Sequence, residues 1–143
     1  MKRQCTYSGC KAVIPYRQRR CEKHEYKSNN KKELVIRHAF YNTTAWKKLS
    51  QRLRQQNPVC QKCHKDISYL VDHILEISVS EENALNENNL MCLCRSCHST
   101  KTGVFKRMMA EPQKIYQWCL NNNPNPDLTY LHEWIKNVQR DMQ

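Results

Sequence analysis

Glycine is nearly missing from this chain, with two in 143 residues, and apolar residues make up only 39% of it. That is the length of one ordinary domain, but too little apolar material for a single large core. No apolar run is long enough to cross a bilayer, and none follows the basic Met1-Lys2-Arg3 start. Neither a secretory signal nor a membrane span is therefore expected, and a soluble, cytoplasmic protein is. Acidic residues are scarce in one part only. Residues 1–57 hold 15 Lys/Arg against 3 Asp/Glu and the remainder 9 against 10, so the net charge of +11 lies in the N-terminal two fifths. A one-sided excess of this kind points to an anionic partner, phosphate backbones first. A membrane surface fits less well, because the basic stretch has no wide apolar face to insert. The chain also has no aromatic platform for unstacked bases, which favours duplex DNA over RNA.

What the chain has in plenty is cysteine, nine in all. Set in short pairs beside histidines, and in a reducing compartment, cysteines read as zinc ligands rather than disulfides, and bound metal would make up for the small core. Residues 1–26 carry Cys5, Cys10, Cys21 and His24, two pairs of soft ligands across a short connection, which suit a closed tetrahedral site. The alternative is loose thiols and an exposed His24 in an unfolded tail. Arg17, Arg19 and Arg20 lie between the ligand pairs, where a folded knuckle would present them to phosphate. Further on, Cys60-x2-Cys63 and Cys94-x2-Cys97 repeat one spacing about thirty residues apart, a strong zinc signal. Cys92 could replace Cys94, but only Cys94 restores the two-residue gap, so Cys92 is expected to be a buried strand thiol. His64 is expected on the surface and Cys119 in the core.

Residues 27–57 read as a linker, breaking at Asn29-Asn30, and then a basic helix. Thr43 or Thr44 can cap the helix; Trp46, Leu49 and Leu53 form its packing stripe; Pro58 stops it. Lys47, Lys48, Arg52 and Arg54 fall on its other faces, where they can follow a phosphate backbone. In residues 58–106, "YLVDHILEI" and "NLMCLC" read as strands and "RSCHSTKTGVFKRMMA" as a helix starting near Cys94. Residues 107–143 read as two packing helices broken at "NNNPNPD". The fold class is thus a small, zinc-stabilised α+β protein.

Four residues of the central segment are not needed by zinc: Asp72, His73, Asn89 and His98. Cys97 and His98 are helical neighbours about 100° apart, so one can face the zinc and the other the strands. Asp72 and His73 cannot face one phosphate from a regular strand, so the strand must kink or end there.

The order Cys-x2-Cys, Asp-His-Ile, Asn-Leu, Cys-x2-Cys-His, Lys-Thr resembles the HNH endonucleases, over roughly Val59 to Lys106. The N-terminal knuckle followed by "AWKKL" is similar to the small HNH proteins of tailed bacteriophages. The resemblance implies a ββα-metal core that hydrolyses phosphodiesters of double-stranded DNA. It makes His73 the general base and Asp72 with His98 the holders of a catalytic divalent cation, with Asn89 orienting the His73 ring or its loop. Lys101 and Lys106 would contact neighbouring phosphates. Imidazole ligation predicts that Mn2+, Ni2+ or Co2+ serves at least as well as Mg2+. One base and one cation suffice to nick, by a monomer, while duplex cutting takes a dimer or two successive nicks. The phage likeness further implies a role in DNA packaging beside the terminase. The competing reading is a zinc-containing DNA-binding protein without catalysis.

Overall fold

The computed structural model describes residues 1–25 and 31–143, and the expected linker break at Asn29-Asn30 lies outside them. The chain divides into two units, Met1–Val35 and Ile36–Gln143. In the first, β1 (Lys2–Gln4) pairs antiparallel with β2 (Val13–Pro15), Arg3 opposite Ile14. Two strands this short do not hold together alone. Their buried side chains are few, chiefly Cys5 and Ile14, so the ligand cluster beside them must supply the fixing. Gly9, at φ +79°, takes the left-handed turn that returns the chain to Cys10, whose N–H bonds the Tyr7 carbonyl at 3.0 Å.

The second unit is built around one hairpin. β3 (Leu70–His73) runs antiparallel to β4 (Leu90–Leu93), with Asp72 opposite Met91 and His73 opposite Leu90. α1 (Lys31–Tyr41), which the sequence reading did not separate from the helix after it, precedes α2 (Thr44–Gln56). Thr43 caps α2 by accepting the Trp46 N–H at 3.3 Å, and Asn57 ends it before Pro58, as expected. Trp46 and Leu53 of α2 pack on Val71, Leu90 and Cys92 on one face of the hairpin.

The other face belongs to α3 (Arg95–Met108), α4 (Pro112–Asn122) and α5 (Thr129–Asp141). Ile74, Leu75, Met91, Leu93, Phe105, Ile115, Leu131, Trp134 and Ile135 form that core. β4 is covered on both sides, so all four of its residues are buried and it shows no polar alternation. The expected strand over "YLVDHILEI" is shorter than its aliphatic residues suggest, ending at His73. The Asn89 side chain takes the Leu75 peptide, accepting its N–H at 2.8 Å and donating to its carbonyl at 3.0 Å, so the ladder cannot continue. No helix among the described residues is long and apolar enough to cross a membrane.

Candidate active site

Two sets of ligands come together, and they are those read from the spacing. The sulfurs of Cys60, Cys63, Cys94 and Cys97 all lie within 4.8 Å of one another, as do the ligand atoms of Cys5, Cys10, Cys21 and His24. Cys63 and Cys94 sulfurs stand 4.0 Å apart and those of Cys10 and Cys21 3.8 Å, close to the ~3.8 Å edge of a tetrahedral zinc–thiolate site. All nine cysteines are free thiols.

The thiols of the four-cysteine set differ in how readily they ionise. Burial alone would raise the Cys60 thiol, but backbone hydrogen bonds at Cys63, Cys94 and Lys62 hold it at about 6. Cys97 is pushed up to about 12, by burial and then by the neighbouring sulfurs of Cys94, Cys60 and Cys63. Four thiols this close together can share one metal ion. Cys94 also caps α3, its sulfur accepting the Cys97 N–H at 3.4 Å. Cys92 is not a ligand: it is buried against the α2 side with Trp46 and Val71. His64 is exposed and Cys119 is in the core, as expected. In the first unit the Tyr7 ring stacks on His24 at 3.9 Å and 3°, fixing that ligand's orientation.

Asp72 and His73 leave the end of β3 on opposite sides. His73 is 2% exposed, its ring stacked on Trp46 at 5.0 Å and flanked by Phe40 at 5.7 Å and Tyr41 at 6.1 Å. Its Nε2 lies 2.8 Å from the Ala84 carbonyl, which can only accept, so Nε2 carries the proton and Nδ1 the lone pair. Nδ1 makes no hydrogen bond among the described residues. Burial lowers the His73 pKa, although the Ala84 bond and the charges of Asp72 and Glu76 oppose the shift. A neutral ring with a free Nδ1 is a proton acceptor at neutral pH.

Asn89 is wholly buried, and its side chain makes no hydrogen bond to the His73 ring among the described residues. Besides bracketing Leu75, it donates to the Asn83 carbonyl at 3.3 Å, one residue before the Ala84 carbonyl that holds His73. His98 is half-buried in the first turn of α3 and lies one turn before Lys101 on the same helical face.

Lys101 corrects one expectation. It is 3% exposed, with Nζ 2.9 Å from Asp72 Oδ2 and 3.4 Å from Glu76 Oε1, so it is a counter-ion inside the site and not a surface phosphate contact. It follows one turn after His98 in α3. Lys106, Lys47, Lys48 and Arg54 are exposed, as are Arg17, Arg19 and Arg20 of the first unit. Arg20 lies over the Tyr7 ring at 5.9 Å. Arg52 is exposed too, but paired with Glu87.

Four participants escaped the sequence reading. Glu76 and Arg37, 3.9 Å apart, join the charges around Asp72, and Phe40 and Tyr41 help enclose His73. Glu76 lies four residues after Asp72, but no regular element links them, so no periodicity could connect the two.

Comparison with known proteins agrees with this geometry. The HNH endonuclease family matches residues 60–103, and a family described as a domain of unknown function (DUF8602) matches residues 1–52. A protein of Lactococcus phage SK1 named probable HNH endonuclease is 35% identical, the match covering 52% of this chain and 87% of that protein. The crystal structure of the HNH endonuclease of deep-sea thermophilic bacteriophage GVE2, with manganese ion, aligns with a TM-score of 0.50 at 32% identity, covering 53% of this chain and 88% of that one. A fold shared with one phage nuclease, and a sequence shared with another along most of its length, establish that the chain belongs to the HNH endonuclease family and is a phosphodiester-cleaving nuclease.

Proposed function

We propose that the protein is a metal-dependent DNA endonuclease with a ββα-metal core, in which His73 is the general base. The observation that carries this is the His73 ring, with Nε2 committed to the Ala84 carbonyl and Nδ1 without a hydrogen-bond partner among the described residues. Nδ1 takes a proton from the attacking water, and the Nε2 bond to a carbonyl steadies the imidazolium that forms. Asp72 and His98 would hold the divalent cation, Mg2+, Mn2+, Ni2+ or Co2+, which when bound supplies positive charge to the scissile phosphate and the leaving 3′ oxygen. Asn89 keeps the loop between β3 and β4 in the shape that holds His73. The neighbour solved with manganese supports a divalent cation at this site.

Cys60, Cys63, Cys94 and Cys97 would hold one structural zinc, tying the start of α3 to the loop before β3, and Cys5, Cys10, Cys21 and His24 a second. Arg17, Arg19, Arg20, Lys47, Lys48, Arg54 and Lys106 grip phosphates of the double-stranded DNA. One base acting on one strand makes the enzyme a nickase that works as a monomer. A place in host cytoplasm, in genome packaging with the terminase, is the part of the proposal that rests on family likeness to small phage HNH proteins alone.

Supercoiled plasmid incubated with the zinc-loaded protein and each divalent cation in turn tests this. Nicked circles that form only with a divalent cation, with Mn2+, Ni2+ or Co2+ at least matching Mg2+, are expected. Uncut plasmid with every cation, although the protein binds it, would favour a DNA-binding protein without catalysis.

A further inference from the structure

Both carboxylate oxygens of Asp72 are already engaged, so a cation there must share them or displace a partner. Its Oδ1 accepts the His73 backbone N–H at 2.9 Å, and its Oδ2 is taken by Lys101 Nζ at 2.9 Å. The Lys101 ammonium has one other charged acceptor, Glu76 Oε1 at 3.4 Å. Around it also lie the Phe105 ring 4.3 Å away, the Trp118 ring at 5.9 Å, and a cavity of about 290 Å³ bordered by Met91, Leu93 and Val104 and, on its polar side, by Thr100 and the cationic Lys62. The stem has room to shift, but the head has only two carboxylates to choose between. Arg37, 3.9 Å from Glu76 Oε2, is the other cation facing this pair.

We propose that Lys101 is a positioning residue that tunes cation binding: its ammonium occupies Asp72 until a divalent cation arrives and then moves over to Glu76. The proposal rests on the reading of Asp72 and His98 as the cation site. Like charges a few ångströms apart repel far more strongly in a buried site than in water, so the ammonium opposes the incoming cation. Glu76 relieves that opposition by accepting the displaced head. The two residues therefore act with opposite signs. Lys101 weakens cation binding, and Glu76 strengthens it most while Lys101 is there to be received.

The test is Mn2+ binding to the full-length, zinc-loaded protein without DNA, read from the loss of the free-ion electron paramagnetic resonance signal. Lys101→Met should tighten binding by roughly tenfold, the size of effect one nearby charge has on a buried ionic equilibrium. Lys101→Arg keeps the charge and should stay near wild type. Glu76→Gln should weaken binding in the wild-type background and do so much less in the Lys101→Met background, where only its direct attraction for the cation is lost. Should Lys101→Met fail to fold, Lys101→Gln carries the same expectation. Unchanged or weaker binding in the lysine variants overturns the proposal. Equal weakening by Glu76→Gln in both backgrounds also overturns it, because Glu76 would then be a ligand. Mn2+ binding that survives both Asp72→Asn and His98→Ala would instead overturn the cation-site reading itself.

Discussion

The Asn89 side chain is paired with the Leu75 peptide as a neighbouring strand would be, taking its N–H at 2.8 Å and meeting its carbonyl at 3.0 Å. The amide lies where the ladder between β3 and β4 would otherwise continue, and it converts the end of a strand into the loop that carries Ala84 to His73. Asn89→Ala strands both groups of a buried peptide, and each such group costs about 1–3 kcal/mol. Denaturant unfolding should show a loss of that order, with cleavage falling more than DNA affinity. Asn89→Asp keeps the acceptor for Leu75 N–H and should fall between the two.

Trp46 should matter twice. It is buried between α2 and the hairpin and also forms one wall of the His73 site, its ring 5.0 Å from the imidazole. Trp46→Ala should cost about 3–5 kcal/mol, as truncation of a large buried aromatic does. Trp46→Phe keeps a ring against His73 and should retain most of the stability and cleavage, measured as unfolding midpoint and nicking rate.

Zinc content tests the assignment of the thiols. The intact protein should carry two zinc ions, and Cys94→Ser should lose one of them together with much of the fold around α3. Cys92→Ala should keep both, because its thiol faces Trp46 and Val71 and not the ligand set. Atomic emission on the purified variants decides the matter, and removal of the metal by a chelator should unfold the first unit, whose apolar core is slight.

The spacing of the cysteines made both ligand sets legible in the sequence, because metal ligands must converge whatever chain lies between them. Cap and stop signals likewise gave α2, from Thr43 to the residue before Pro58. The environment of Asp72 was not legible. A lysine followed by threonine on a helix after His98 reads as a surface phosphate contact, and only the packing of α3 against β3 turns Lys101 inward. The enclosure of His73 by Phe40 and Tyr41 was hidden for a similar reason: α1 has no clear apolar stripe, and its partner lies some thirty residues further along the chain.

Salt dependence of binding separates the basic groups. If Arg17, Arg19 and Arg20 each meet a phosphate, replacing all three by alanine should lower the slope of log affinity against log salt by roughly 2–3. Lys47→Ala and Lys48→Ala should each lower it by about 1, and Arg52→Ala by less, because Arg52 already shares its charge with Glu87.

Cleavage and binding measured on one labelled duplex, for the wild type and His73→Ala, test the central assignment most directly. Loss of nicking by about a hundredfold or more, with DNA affinity and zinc content unchanged, is the result expected of a general base. Full nicking by His73→Ala would contradict it and move the proton acceptor elsewhere.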